Sequence, residues 1–537
     1  MLLKIILIIA ISYLLFYKTK RSLHMLQQNL YNENNRYIKW ILKNKTQFVD
    51  LDLIIIAILL IITLILYDIN YFNIIGFSVL IILNFILGYK WMRKIEMDQN
   101  KKPLVVTKRI KRLIVTISIL YLIPLIFLFK NFEDIQFVFK MFLVISIMAY
   151  LNTFVVYIAN IINYPIEKLV YFYYKNKAKN KLKSMNNLKV VGITGSYGKT
   201  SSKNILCDIL NVKYNALATP KNLNTYYGLM MTINNNLDKF TDIFIAEMGA
   251  YVRGEIKDLC NFIKPKYGIL TRIGTAHLET FGSEENIVKA KFELIESLPS
   301  DGIAILNMDD IKQVNYKLKN KVRTVWIAID NPDADVRAIN IKCSNKGTNF
   351  DVSFKDEKNK YHFETKLLGE HNVYNILAAI ALGRELGVSM DELISAVKLV
   401  RPVEHRLELK KLGNFYQIDD AYNSNPIGAK NACQVLKLMN GIRIVVTPGM
   451  VELGKKEEEY NKEFGREIAE VADYAVLIGE KKTKPIYEGL LTKGFDKDKI
   501  IVFNDVREAY AFINGIYNGK DDIYALFEND LPDTYNE

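Results

Sequence analysis

Long apolar runs separated by basic loops fill the first third of the chain, and short β-branched runs alternating with helical periodicity fill the rest. The runs at about 2–17, 51–67, 71–89, 113–130 and 136–163 approach the ~20 apolar residues that a helix needs to cross a bilayer. These five read as membrane spans. LIIIAILLIITLIL at 53–66 has no polar face to turn to water, which argues against buried helices of a large soluble core. Lys4 stands at the start of the first run and no small-residue cleavage site comes before FYKTKR, so this run reads as a retained anchor and not a signal peptide. Asn152 and Asn160, inside the last run, are expected to face neighbouring helices.

Charge in the loops sets an orientation. Residues 18–50 carry seven Lys/Arg and residues 90–112 carry nine, including KRIKR at 108–112. The other two loops are short and hold Asp68, Glu133 and Asp134 in or beside them. The excess of positive charge on cytoplasmic loops then places the N-terminus outside and everything after residue 165 in the cytoplasm of a multi-pass plasma-membrane protein. The net charge of +13 is thereby explained by membrane lipid, and no recognition motif accompanies the basic patches, so no nucleic-acid partner is expected. Protein partners are not legible. Cys207, Cys260, Cys343 and Cys433 are far apart with no C-x-x-C pair, which excludes a zinc ribbon and argues against a disulfide framework.

Residues 166–188 form a basic, aromatic juxtamembrane stretch suited to acidic headgroups, or a plain solvated linker. Beyond it, alternating strand and helix patterns predict parallel sheets covered by helices. KVVGITGSYGKTSSKNIL at 189–206 is a buried-type strand, a glycine turn at Gly195 and Gly198, and a helix. Such a turn aims backbone N–H groups and a helix N-terminus at an anion. Lys199 adds a mobile cation and Thr200 a hydroxyl suited to magnesium. The Walker pattern fails by one position, because Ile193 stands where its first glycine belongs.

The shortened loop TGSYGKT resembles that of the Mur ligase family, ATP-dependent enzymes that join amino acids or peptides through amide bonds. Further motifs follow in the family's order: TPKNLNTYYG at 219–228, IAEMGAYVRGEI at 245–256, IGTAHLETFGSEENIVKAKFEL at 273–294, GEHNVYNILAAIALGRELG at 369–387, RPVEHRLE at 401–408 and DDAYNSNP at 419–426. Together they are most similar to the MurF branch, which adds D-alanyl-D-alanine to a UDP-muramoyl peptide. The fold implied is an α-helical membrane region (1–165, about five transmembrane helices), the basic linker (166–188) and two α/β domains. These are a central P-loop ATP-binding domain (189–406) and a Rossmann-like C-terminal domain (407–537).

The resemblance also implies roles. Gly195, Gly198, Lys199, Thr200 and Ser201 would hold the phosphates of ATP, and Asn372 and Asn375 the adenine edge. Arg406 and Asp420 would meet phosphate or ribose, with Asp419 the alternative to Asp420. Two magnesium ions would draw on Thr200, Glu247, His277 and Lys291. Lys291 would be carbamylated, with Lys289 as the other possible register, and Lys199, Lys291 and His277 would be the catalytic set. Thr219, Asn222, Asn224 and Thr225 would contact substrate. The chemistry implied is a carboxylate attacking ATP to give an acyl phosphate that an amine then opens.

Four departures stand out. Membrane helices replace the small domain that grips the UDP-sugar, so the acceptor is expected to be a cell-wall precursor presented at the membrane, lipid-linked or held by a partner, and joined to an amino acid or dipeptide. His405-Arg406 stands where Gly-Arg is usual, and Pro448-Gly449 where Gly-Asp is. The ending YALFENDLPDTYNE differs as well. A membrane-bound poly-γ-glutamate synthase and a non-catalytic scaffold with a Mur fold are the alternative readings. An ATP-driven transporter would carry an LSGGQ-like signature, which is absent from the sequence.

Overall fold

The computed structural model describes residues 2–44, 72–97, 103–130, 133–421, 424–451 and 453–530, with isolated positions at 55, 58 and 62. The chain divides into two compact units, Met1–Tyr173 and Tyr174–Glu537.

Among the described residues the regular elements of the first unit are all helices, chiefly α1 (Leu2–Gln28), α2 (Arg36–Lys43), α3 (Phe72–Met97), α4 (Lys108–Lys130), α5 (Ile135–Tyr150) and the start of α6 (Asn152–Ser184). α1, α3 and α4 are each long and apolar enough to cross a membrane. Of the span expected at 51–67 only positions 55, 58 and 62 are described, and the rest lies outside the described residues. Gly88 lets α1 and α3 approach closely, since a Cβ there would lie 2.3 Å from the Tyr13 ring.

The single span expected at 136–163 is instead two helices, α5 and α6, bent by 80°. Polar side chains explain the break. The buried Lys18 ammonium donates to the carbonyl of Tyr150, one of the groups that a helix C-terminus leaves unpaired. Tyr121 donates its hydroxyl to Asn152 Oδ1 at 3.0 Å, and the Ser22 and Thr153 hydroxyls pair at 3.1 Å. Asn152 and Asn160 do face neighbouring helices, Asn160 accepting from Arg109 at 3.3 Å.

The second unit holds two sheets. The larger contains β1 (Lys189–Thr194), β2 (Ala216–Ala218), β3 (Ile243–Glu247), β4 (Tyr267–Leu270), β5 (Ile303–Asn307), β6 (Arg323–Ala328), β7 (Val336–Ser344), β8 (Gly347–Phe354) and β9 (Lys360–Thr365). Its order is β2-β3-β1-β4-β5-β6-β7-β8-β9, parallel as far as β7 and antiparallel beyond. β1 pairs with both β3 and β4, so the chain reverses its direction of winding there. In open α/β sheets ligands bind outside the carboxyl ends of strands at such a point. The helices that matter for the site are α7 (Lys199–Leu210), α8 (Tyr226–Asn235), α9 (Glu284–Glu296) and α10 (His371–Glu385).

The smaller sheet comprises β10 (Glu408–Leu412), β11 (Phe415–Asp420), β12 (Ile442–Thr447), β13 (Tyr474–Ile478), β14 (Ile500–Phe503) and β15 (Ile523–Glu528), in the order β10-β11-β15-β12-β13-β14. β15, from the segment that departs from the expected ending, is a central strand, fully buried along its length. Residues 531–537 of that segment lie outside the described residues.

Candidate active site

The phosphate loop forms where β1 ends. Gly195 (φ +154°) passes so close to Thr271 that a Cβ would lie 1.9 Å from its hydroxyl, and Gly198 (φ +79°) turns the chain into α7. Lys199 Nζ donates to the carbonyls of Gly195 at 2.9 Å and Ser196 at 3.0 Å. Partly open to the cleft, Lys199 is enclosed by protein elsewhere. Burial lowers its pKa, Glu247 opposing and Arg406 adding to the effect.

β3 delivers Glu247 beside this loop. Its Oε1 accepts from Asn224 Nδ2 at 3.0 Å. Its Oε2 lies 3.1 Å from Lys203 Nζ as an ion pair, outside hydrogen-bond geometry, so no hydrogen bond reaches this buried oxygen. A cavity of about 230 Å³ brings together Lys199, Thr200, Ser201, Asn222, Asn224, Glu247, His277, Lys291 and Arg406. His277 (φ +59°) starts a short turn, its ring 4.5 Å from that of Tyr251. Burial, with Lys199 and Lys291 nearby, pushes the imidazole down to about 4. Lys291, on α9 and 3% exposed, is pushed down to about 7 by burial and by Lys199. Lys289 points elsewhere and pairs with Glu285 at 2.6 Å.

A second cavity of about 320 Å³ shares Tyr197, Gly198, Ser201, Arg406 and Asn425 with the first, so the two form one cleft. Asn372 and Asn375 line it from α10, and Asp420 lines it from β11. Asn375 Oδ1 accepts from Ser202 Oγ at 2.6 Å, and its Nδ2 donates to Asn372 Oδ1 at 3.3 Å. The amide pair is therefore anchored to α7. Asp420 is pushed up to about 6 by burial, with Arg406 pulling the other way. Asp419 instead accepts from Lys410 and lies 2.8 Å from His405 Nδ1. His405 adopts φ +59°, the left-handed backbone for which glycine is the usual choice, so the tight turn before Arg406 survives the replacement.

Two residues expected at the substrate do not line the cleft. Thr219 is buried, its hydroxyl accepting from the Glu247 amide at 3.1 Å, because it closes the turn after β2. Thr225 caps α8, accepting from the Gly228 amide at 3.2 Å. Conversely, sequence reasoning passed over Lys203, Asp309 and Asn425. Lys203 lies four residues after Lys199, hence on the same face of α7, which was the available signal. Asp309 accepts the backbone amides of Ile329, Asp330 and Asn331 and the Tyr374 hydroxyl, and lines the larger cavity.

Among the described residues no three His, Cys, Asp or Glu side chains converge as a metal site. Magnesium commonly keeps waters and takes substrate phosphate oxygens alongside one or two carboxylates. The buried Glu247 carboxylate, whose Oε2 has the Lys203 ammonium as its ion-pair partner, lines the same cavity as Thr200 and fits a protein contribution of that kind, and the glycine cradle fits a polyphosphate.

The cleft is thus that of a nucleotide-dependent α/β enzyme. Residues 193–383 match the Mur ligase middle domain and residues 405–526 the Mur ligase, glutamate ligase domain. The chain is 32% identical over 324 residues to the UDP-N-acetylmuramoyl-tripeptide--D-alanyl-D-alanine ligase of Bacillus subtilis, covering 60% of this chain and 68% of that one. To the enzyme of that name from Escherichia coli it is 34% identical over 297 residues, covering 55% and 65%. The structure is similar to MurF from Acinetobacter baumannii (TM-score 0.60, 28% identity, 66% of this chain and 77% of that one). It is also similar to MurF from Thermotoga maritima in complex with ADP (TM-score 0.59, 26% identity, 67% and 80%). The chain belongs to the Mur ligase family, whose MurF members are ATP-dependent amide-bond-forming enzymes. It spans between 49% and 68% of the length of these and further curated relatives of that name.

Proposed function

We propose that this chain is a membrane-anchored, MurF-like ligase of peptidoglycan-type precursor synthesis, with its catalytic unit in the cytoplasm. The single observation that carries the reading is the gathering of Lys199, Thr200, Glu247, His277, Lys291 and Arg406 around one cavity continuous with the larger one. The central and C-terminal domains are taken as 189–406 and 407–537, and the anchor as 1–165.

ATP with magnesium would supply the phosphoryl group and much of the charge neutralisation. An acceptor carboxylate oxygen forms a bond to the γ-phosphorus as the bond to ADP breaks; the amine of the amino acid or dipeptide then forms the C–N bond and phosphate leaves. The chain's own part is positioning and electrostatics. Lys199 and Arg406 face the cleft as fixed cations. Glu247 offers a carboxylate oxygen for the first magnesium ion, with the Thr200 hydroxyl. Near pH 7 a large share of Lys291 is the neutral amine, the form that adds to carbon dioxide with loss of a proton to give a carbamate. That carbamate and the His277 ring, held neutral above about pH 4, would serve the second ion. Asn222 and Asn224 are the candidate contacts to the acceptor.

The anchoring reading rests on three helices long and apolar enough to span, plus the bent pair, and on the basic loop at 90–112. With membrane helices where a UDP-sugar domain is expected, the acceptor is a membrane-presented, lipid-linked wall precursor. The test is turnover by the full chain in nanodiscs with ATP, magnesium and D-alanyl-D-alanine. A lipid-linked muramoyl tripeptide should gain the mass of the dipeptide. Gain only on the soluble UDP-linked form would contradict the lipid-linked acceptor, and glutamate polymerisation would contradict the MurF reading.

A further inference from the structure

We propose that α8, the turn after it and the C-terminal part of α6 form a face of the catalytic unit that docks on an anionic lipid surface, beside the loop that meets the acceptor. Only the word acceptor rests on the ligase reading; the docking itself does not.

Packing leaves this face uncovered. α8 buries Gly228, Leu229, Met230, Thr232 and Ile233. It leaves Tyr227 60% and Met231 37% exposed, four residues apart and therefore on one side. Phe240, 68% exposed, follows in the next turn, with Lys239 Nζ 4.9 Å from its ring centroid. The end of α6 touches the same helix. Lys175 Nζ sits 4.9 Å over the Tyr226 ring, Asn234 Nδ2 donates to the Tyr174 carbonyl at 3.0 Å, and Lys181 Nζ donates to the Asn234 carbonyl at 3.4 Å. Ala178 is buried, while Lys177, Lys179 and Lys183 are exposed.

The composition of the face selects its occupant. Residues 168–184 contain six lysines and no acid. Of the nearby acids, Asp238 accepts from the Phe240 amide and the Thr241 hydroxyl and Asp242 from the Asn215 amide, while exposed Asp258 acts on Tyr226 and leaves lysine in excess. Protein interfaces are depleted in lysine. Exposed aromatic and apolar side chains interleaved with lysines match the headgroup boundary of an anionic bilayer.

The functional consequence follows from chain order. Thr225 caps α8 two residues before Tyr227, and Asn224 holds Glu247. A lipid-linked substrate lying on the docked surface would thus enter the cleft within one helical turn of its anchor.

The test uses the full chain in nanodiscs, with Cys207→Ser and Cys343→Ser as background and a fluorophore on Met231→Cys or, as a control, on the exposed Lys346→Cys. In discs containing phosphatidylglycerol, doxyl-labelled lipid should quench the Met231 probe strongly and iodide several-fold less than it quenches the Lys346 probe. Charge reversal at Lys177, Lys179, Lys183 and Lys239 should remove the difference. Equal iodide access at both positions would overturn the proposal. So would protection that persists in purely zwitterionic discs and grows with protein concentration, which would indicate a second copy as the occupant. No turnover is needed, so failure here and failure of the ligase reading are separately visible.

Discussion

Lys203 Nζ stands 3.1 Å from Glu247 Oε2, with neither side chain more than 2% exposed. Lys203 also donates to the carbonyl of Lys221, so one ammonium ties the phosphate-loop helix, the end of β3 and the loop that carries Asn222 and Asn224 together. Breaking a buried pair by removing one partner costs about 3–5 kcal/mol, because the remaining charge is stranded. Lys203→Met should therefore lower the melting temperature markedly. Lys203→Met with Glu247→Leu should recover most of that loss yet remain inactive, since the magnesium-facing carboxylate is gone. Activity in the double variant would mean that Glu247 serves stability alone.

Lys199→Ala should reduce ligation by about 10²–10³, the cost typical of losing one positioned charge partner of a transition state, while the melting temperature stays near that of the wild type. Steady-state rates at saturating ATP make the comparison. A folded Lys199→Ala protein that turns over normally would remove the loop from the mechanism.

Lys291 and Lys289 separate a specific claim from a generic one. Lys291→Ala should be inactive and partly restored by short carboxylates that fill the vacated space; Lys289→Ala should be near wild type, because its partner is Glu285 on the outer face. Stability gives an independent readout. In the folded chain Lys291 titrates at about 7, well below an ordinary lysine. Between about pH 7 and 10.5 the unfolded chain therefore binds more protons, and stability rises with pH. In buffer free of carbon dioxide, Lys291→Met should exceed the wild type in stability at pH 7, by an amount on the order of a few kcal/mol, and the two should converge near pH 10. A constant gap would mean that Lys291 is not buried as a charge.

Reporter fusions at residue 100 and at the C-terminus should both score cytoplasmic. This follows from the nine Lys/Arg in 90–112 and from the cytoplasmic supply of ATP. A split result would overturn the orientation.

The site was legible where chemistry is written in short motifs. TGSYGKT, FIAE and HNVYN brought Lys199, Thr200, Glu247, Asn372 and Asn375 to one cleft because strand ends and helix starts place them there. The choices between Lys289 and Lys291, and between Asp419 and Asp420, needed the fold, since either member of each pair is chemically suitable and only helix or strand phase decides. What stayed hidden depended on distant contacts. The run at 136–163 was long enough to tilt or bend, but the place of the 80° break depends on Lys18, which meets the end of α5 across 132 residues of sequence. Thr219 and Thr225, expected at the substrate from their motif, accept backbone amides and do not line the two cavities, an arrangement that only the fold shows. His405 kept a turn expected to need glycine, held 2.8 Å from Asp419.

The most direct test of acyl-phosphate ligation in this cleft follows oxygen. The full chain is supplied with ATP, magnesium, D-alanyl-D-alanine and a lipid-linked muramoyl tripeptide carrying ¹⁸O in its terminal carboxylate. If the carboxylate attacks the γ-phosphorus and the amine then displaces phosphate, each phosphate released with a new amide bond carries one carboxylate oxygen, seen as a mass increase or a shifted ³¹P resonance. Amide formation accompanied by unlabelled phosphate would contradict the account.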